Sequence, residues 1–167
     1  TFMTKTKAVY SILVLIAGLL LSFKATGTRE QGIEKGDIIL TKDNGNEILT
    51  EAIEKNKGKY IILNFWSSYN AESRARNIML SEIAKNDSNN VAMICVSFDK
   101  FESVFQETIK SDSLNNTVNI LVKDGFDSQT AQKYGINGKF GNFIIDPQGV
   151  IIKKNANAEA VESLIKS

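Results

Sequence analysis

From Lys59 the chain reads KYIILNFW, an apolar and aromatic run that ends at Trp66. A continuous run of this kind predicts a strand covered on both faces, and its place in the chain makes it the central one. VAMICVSF, from Val91 to Phe98, and VNILV, from Val118 to Val122, predict two more strands. Between the runs the period changes. Ala71, Ala75, Ile78, Met79 and Ile83 fall at helical spacing, and so do Phe101, Val104, Phe105 and Ile109, while DSQTAQKYG predicts a short helix that ends at Gly135. Strands and helices alternating at these lengths imply right-handed βαβ units and a mostly parallel sheet. NFIIDPQGVII then predicts two strands joined by a type I turn, with Pro147 at its second position and Gly149 at its fourth. Asn157 is placed to cap a closing helix whose inner face is Val161, Leu164 and Ile165. Ahead of the central strand, DIILTKDNGNEIL sets two short apolar runs around Asp43, Asn44, Gly45 and Asn46, which predicts a β-hairpin.

The first residues follow a different pattern. Lys5 and Lys7 precede an uncharged run from Ala8 to Phe23 that Lys24 closes. Its 16 residues are fewer than the roughly 20 of a membrane-spanning helix. The segment 1–27 therefore reads as a cleavable signal peptide, with an uncleaved N-terminal anchor through residues 8–23 as the alternative. Residues 28–36 read as a linker and 37–167 as one domain. The expected location is extracytoplasmic, either periplasmic or secreted.

Composition narrows the chemistry. Twenty basic residues against 19 acidic leave no excess for binding nucleic acid through its phosphates. The chain has no histidine and one cysteine, Cys95, so zinc ligand sets, imidazole-assisted nucleophiles and an internal disulfide are all excluded. KDNGNE lacks calcium-loop spacing. No metal or cofactor is expected. Asn86 and Asn115 begin glycosylation sequons, which matter only in a glycosylating host.

Two phrases carry a family resemblance. GKYIILNFWSSYNAESR resembles the segment of extracytoplasmic thiol-disulfide oxidoreductases of the TlpA and ResA type that runs through NFWA to Cys-x-x-Cys-Arg. KYGINGKFGNFIIDPQGVI resembles their later segment, where a Tyr-Gly pair leads to G-x-P-T-T-F and D-P-x-G. The resemblance extends over about Gly36 to Ile165 and implies a thioredoxin-like α/β fold, a central mixed sheet flanked by helices, here with an N-terminal β-hairpin. It also implies that Asn70 and Ser73 stand where the family has its two cysteines, and Phe140 where it has a cis-proline.

Those three positions determine the functional expectation. In the family a thiolate is favoured at a helix N-terminus, and exchange needs a second thiol. Asn70 carries an amide, and Ser73 a hydroxyl with no evident base. Asn70 is a good helix cap, helped by Glu72 in the first turn. The bond before Phe140 is expected to be trans, since a cis bond to a non-proline residue costs about 2.5–4 kcal/mol. Phe140 either fills the proline's space or joins Trp66 and Tyr69 in an exposed aromatic patch. Cys95 reads as a core residue, and Arg74 and Arg76 as a solvated helix face. The expectation is an exported, redox-inactive module that binds a protein or peptide through Trp66, Tyr69, Asn70, Ser73 and Phe140. The rival is a thiol-disulfide oxidoreductase or thiol peroxidase-like antioxidant that uses Cys95, which requires an accessible thiol.

Overall fold

The computed structural model describes residues 32–39 and 44–166. Residues 1–27, expected to be a signal peptide or anchor, lie outside them. Among the described residues no helix is long and apolar enough to cross a membrane.

Five strands form one sheet: β1 (Tyr60–Trp66), β2 (Val91–Ser97), β3 (Val118–Leu121), β4 (Asn142–Ile145) and β5 (Ile151–Lys154), in the order β3-β2-β1-β4-β5. β1 pairs in parallel with β2, and β2 with β3, whereas β4 runs antiparallel to both β1 and β5. The sheet is therefore mixed, with β1 at its centre as expected. Its register sets Asn64 beside Cys95 and Trp66 beside Ser97.

Alternation along β1 divides the core. Ile61, Leu63 and Phe65 face one side, where helices α1 (Glu47–Lys55) and α4 (Gln129–Tyr134) pack. Ile62 and Trp66 face the other, toward α2 (Ala71–Asn86), α3 (Glu102–Ser111) and α5 (Ala158–Ile165). On the first side Phe65 meets Tyr134 with ring centroids 4.8 Å apart and Phe143 at 5.8 Å. The Tyr134 hydroxyl donates to buried Asn44 at 2.9 Å. Gly135 ends α4 in the left-handed region at φ 65°, the conformation glycine adopts most easily. Asn157 caps α5 by accepting the Ala160 N–H at 2.9 Å.

Three expectations need correction. The hairpin around Asn44–Gly45 is absent among the described residues, where its second run is helix α1 and Ile38 makes an isolated bridge to Val150. Asn46 caps that helix by accepting the Leu49 N–H at 3.1 Å, and Leu49, Ala52 and Ile53 are buried at helical spacing. A two-residue apolar run, Ile48 and Leu49, could not separate the two periods. In α2 the buried face is Ser73, Asn77, Leu80, Ser81 and Ala84, while Ile78 and Met79 are exposed. β1 itself places a polar residue on that side, and Asn64 donates to Asn77 at 2.8 Å. A count of apolar positions misses a helix whose docking face includes a buried polar pair. In α3, Phe105, Thr108 and Ile109 turn inward, whereas Phe101, the N-cap, and Val104 are exposed.

Candidate functional site

The site lies where β1 stops. A turn through Ser67, Ser68 and Tyr69 leads to Asn70, whose extended backbone (φ −107°, ψ 100°) makes it the cap of α2. Its Oδ1 accepts the Ser73 N–H at 2.8 Å, as the sequence led us to expect. The Ser73 hydroxyl donates to the Asn70 carbonyl at 2.9 Å and accepts the Ser67 N–H at 3.3 Å. Ser73 is fully buried, and no base contacts its hydroxyl among the described residues. These groups can hold a turn and a helix end in place. They offer neither a thiolate nor an activated alkoxide.

Burial separates the five candidate residues. Trp66 is 0% exposed and packs against Phe105 at a centroid distance of 6.1 Å, so it belongs to the core and not to the expected surface patch. Its position in β1 points the indole at the side of the sheet where α2, α3 and α5 pack, and α3 covers it. Ser73 is likewise removed from the surface. Tyr69 is 67% exposed, and Asn70 and Phe140 are half-buried.

No cis peptide bond occurs among the described residues, so the bond before Phe140 is trans as expected. The Phe140 ring both packs and presents itself. It touches the core cluster and meets Tyr69 edge-on at 6.4 Å, Phe98 at 6.1 Å and Phe126 at 6.0 Å. Phe98 and Phe126 stack with 12° between their planes. An aromatic surface therefore exists, but its members are Tyr69, Phe140 and Phe126 over Phe98. Phe126 was not legible as a partner of Phe140, because only the fold brings the two loops together.

Sequence reasoning also missed Asp99. It follows β2, is 3% exposed, and accepts from the hydroxyls of Ser67 and Ser68 at 2.7 Å each and from the Ser68 N–H at 2.9 Å. Three serines converge on it, since Ser97 also donates at 2.8 Å. An aspartate directly after a buried apolar run was the available signal.

Neither arginine is a freely solvated surface group. Arg74 grips Asp112 with two bonds, Nε to Oδ2 at 2.9 Å and Nη2 to Oδ1 at 2.6 Å. The guanidinium holds the Asp112 carboxyl below its usual range. Arg76 donates to the Phe140 carbonyl at 2.8 Å and approaches Glu72 at 3.6 Å. Beside it, a cleft of about 440 Å³ opens between α2 and the start of α5, with Met79, Ala156 and Ala158 in its walls. The charges lost their expected freedom because each helix turn around them faces another element.

Cys95 is fully buried in β2, and its thiol contacts Thr117 Oγ1 at 3.4 Å. Burial pushes its pKa up to about 12, which keeps the thiol protonated at neutral pH. Among the described residues no three His, Cys, Asp or Glu side chains gather to hold a metal ion.

A thioredoxin-like family profile matches residues 58–158. A thioredoxin-like protein from Parabacteroides distasonis is 33% identical, with a TM-score of 0.67 over 81% of this chain and 97% of that one. A thiol-disulfide oxidoreductase from Bacteroides fragilis is 28% identical, with a TM-score of 0.59 over 66% of this chain and 81% of its own. A thiol:disulfide interchange protein from Bacteroides sp., 23% identical over 68% of this chain and 77% of its own, shares the fold at a TM-score of 0.60. No curated protein matches the chain. With the profile spanning more than half of its length and a relative one-third identical over four-fifths of it, the chain belongs to the thioredoxin-like family.

Proposed function

We propose that this chain is a redox-inactive member of its family that binds a protein or peptide through the aromatic surface of Tyr69, Phe140 and Phe126, bordered by Asn70. The observation that carries this reading is the pairing at the head of α2. The place that favours a thiolate is filled by an amide cap and a buried hydroxyl, while the adjacent Tyr69 is two-thirds exposed and in contact with Phe140. Exposed aromatic rings are what protein interfaces concentrate at their centres. Burial of Cys95 argues against the peroxidase-like reading, which needs an accessible thiolate. The basic and then apolar N-terminal segment supports work outside the cytoplasm.

Two measurements test this. Insulin reduction should proceed at the uncatalysed rate, and affinity capture from the envelope fraction should recover a partner that a Tyr69→Ala/Phe140→Ala variant fails to retain. Turnover comparable with an active thioredoxin, or equal recovery by the variant, overturns the proposal.

A further inference from the structure

We infer that Asp99 and Arg76 are the positioning residues of the aromatic surface, each fixing from within one of the two loops that present Tyr69 and Phe140. The inference rests on the binding function proposed above and names how that surface is kept in shape.

Asp99 is a carboxylate removed from water, and among the described residues no lysine or arginine nitrogen bonds to it. The Arg74 guanidinium acts on it only from a distance, because its fork is taken by Asp112. A buried charge of this sort is costly unless its lone pairs are used, and here they are used locally. Oδ1 accepts from both hydroxyls of the turn and from the Ser68 N–H, and Oδ2 from Ser97. The sheet does not need this anchor. Trp66 and Ser97 are already neighbours in register, and the Phe98 N–H donates to the Trp66 carbonyl at 3.1 Å. What the anchor adds is a fixed path for Ser67 and Ser68, the two residues before Tyr69.

Arg76 does the same for the second loop. Gly138, at φ 96°, gives the segment before Phe140 backbone freedom, so its path depends on ties from outside. One tie is the Phe65 N–H to the Gly141 carbonyl at 2.9 Å. The other is Arg76, which reaches the Phe140 carbonyl at 2.8 Å with a side chain only 19% exposed. With both loops held, the Tyr69 and Phe140 rings meet edge to face before any partner arrives. A surface fixed in advance loses less conformational entropy on binding.

The test uses the full chain and reads the Tyr69–Phe140 ring contact by nuclear Overhauser effects, alongside retention of the captured partner. Asp99→Ala and Arg76→Met should each lose the ring contact and the partner. Asp99→Asn should keep both, because an amide oxygen still accepts and the serine hydroxyls can rotate to meet its N–H groups. Asn157→Ala, which removes the α5 cap across the cleft from Arg76 and touches neither loop tie, should lower stability and leave the ring contact in place. Should Asp99→Ala fail to fold, Ser67→Ala/Ser68→Ala removes both hydroxyl ties to the carboxylate and keeps only the Ser68 N–H tie, and it should weaken the ring contact. An unchanged ring contact in the folded anchor variants, or its equal loss in Asn157→Ala, overturns the inference. Retention of the partner after the ring contact has gone overturns it as well. If the wild-type chain captures nothing, the binding function falls, and the ring contact alone still decides whether Asp99 and Arg76 hold the loops.

Discussion

The end of β1 and the middle of β2 divide between them what thiol chemistry requires. The turn after β1 delivers its side chains to a helix N-terminus beside an exposed tyrosine, where an acidic thiol would be stabilised and reachable, yet it carries Asn70 and Ser73. β2 carries the thiol, yet Cys95 is fully buried in an apolar strand and held protonated. Position makes a cysteine reactive, and this chain has the position and the cysteine in different places. The same contrast holds for the two carboxylates nearby. Asp112 is answered by a guanidinium, whereas Asp99 is answered by hydroxyls and an amide and serves to shape a turn.

Restoring thiols at the competent position is the strongest way to break the contrast. Asn70→Cys/Ser73→Cys should raise insulin reduction on the order of 100-fold above background, and adding Cys95→Ala should leave that gain intact. An inert double variant would mean that the head of α2 no longer supports exchange.

The converse experiment probes the buried thiol. At about pH 8 a thiol with its pKa near 12 has on the order of 1,000-fold less thiolate than an unperturbed one. Alkylation of Cys95 should therefore be slower by about that factor in the native chain than in denaturant, as mass spectrometry would read it. Comparable rates in the two states would show that β2 opens readily.

A smaller effect is expected at Asp112. Asp112→Asn should cost about 1–2 kcal/mol in urea unfolding at pH 7, a figure already reduced because Arg74 is partly exposed. The folded carboxyl titrates below its unfolded value, so its contribution is present above about pH 4 and is lost as pH falls through the folded pKa. The difference between wild type and variant should accordingly shrink below about pH 4, and a constant difference would rule out the charge as its source. Smallest of all, Asn70→Ala should cost about 1 kcal/mol through the lost cap and leave the redox background unchanged. A change in redox rate would point to a role beyond capping.

Several elements were legible because their causes are local. KYIILNFW could hardly be anything but a buried strand, Gly135 ends a helix by its own φ, and Asn157 caps one with its own side chain. The inner face of α2 was not legible. Ser73 and Asn77 look like a solvent face until the turn after β1 and Asn64 supply partners. DNGNE was compatible with both a hairpin and a helix start, and the packing of Leu49, Ala52 and Ile53 decided for the helix.

What the sequence determined by itself is the succession of strands and helices from β1 onward and the absence of a thiol at both positions where the family resemblance places one, because side-chain chemistry and hydrophobic period travel with the residues. Which groups reach the surface was left to the tertiary structure. It buried Trp66, Ser73 and Cys95, brought Phe126 to Phe140 and gathered three serines around Asp99. The reason is physical: exposure and hydrogen-bond partnership belong to pairs of distant residues, and no single stretch of chain contains both members.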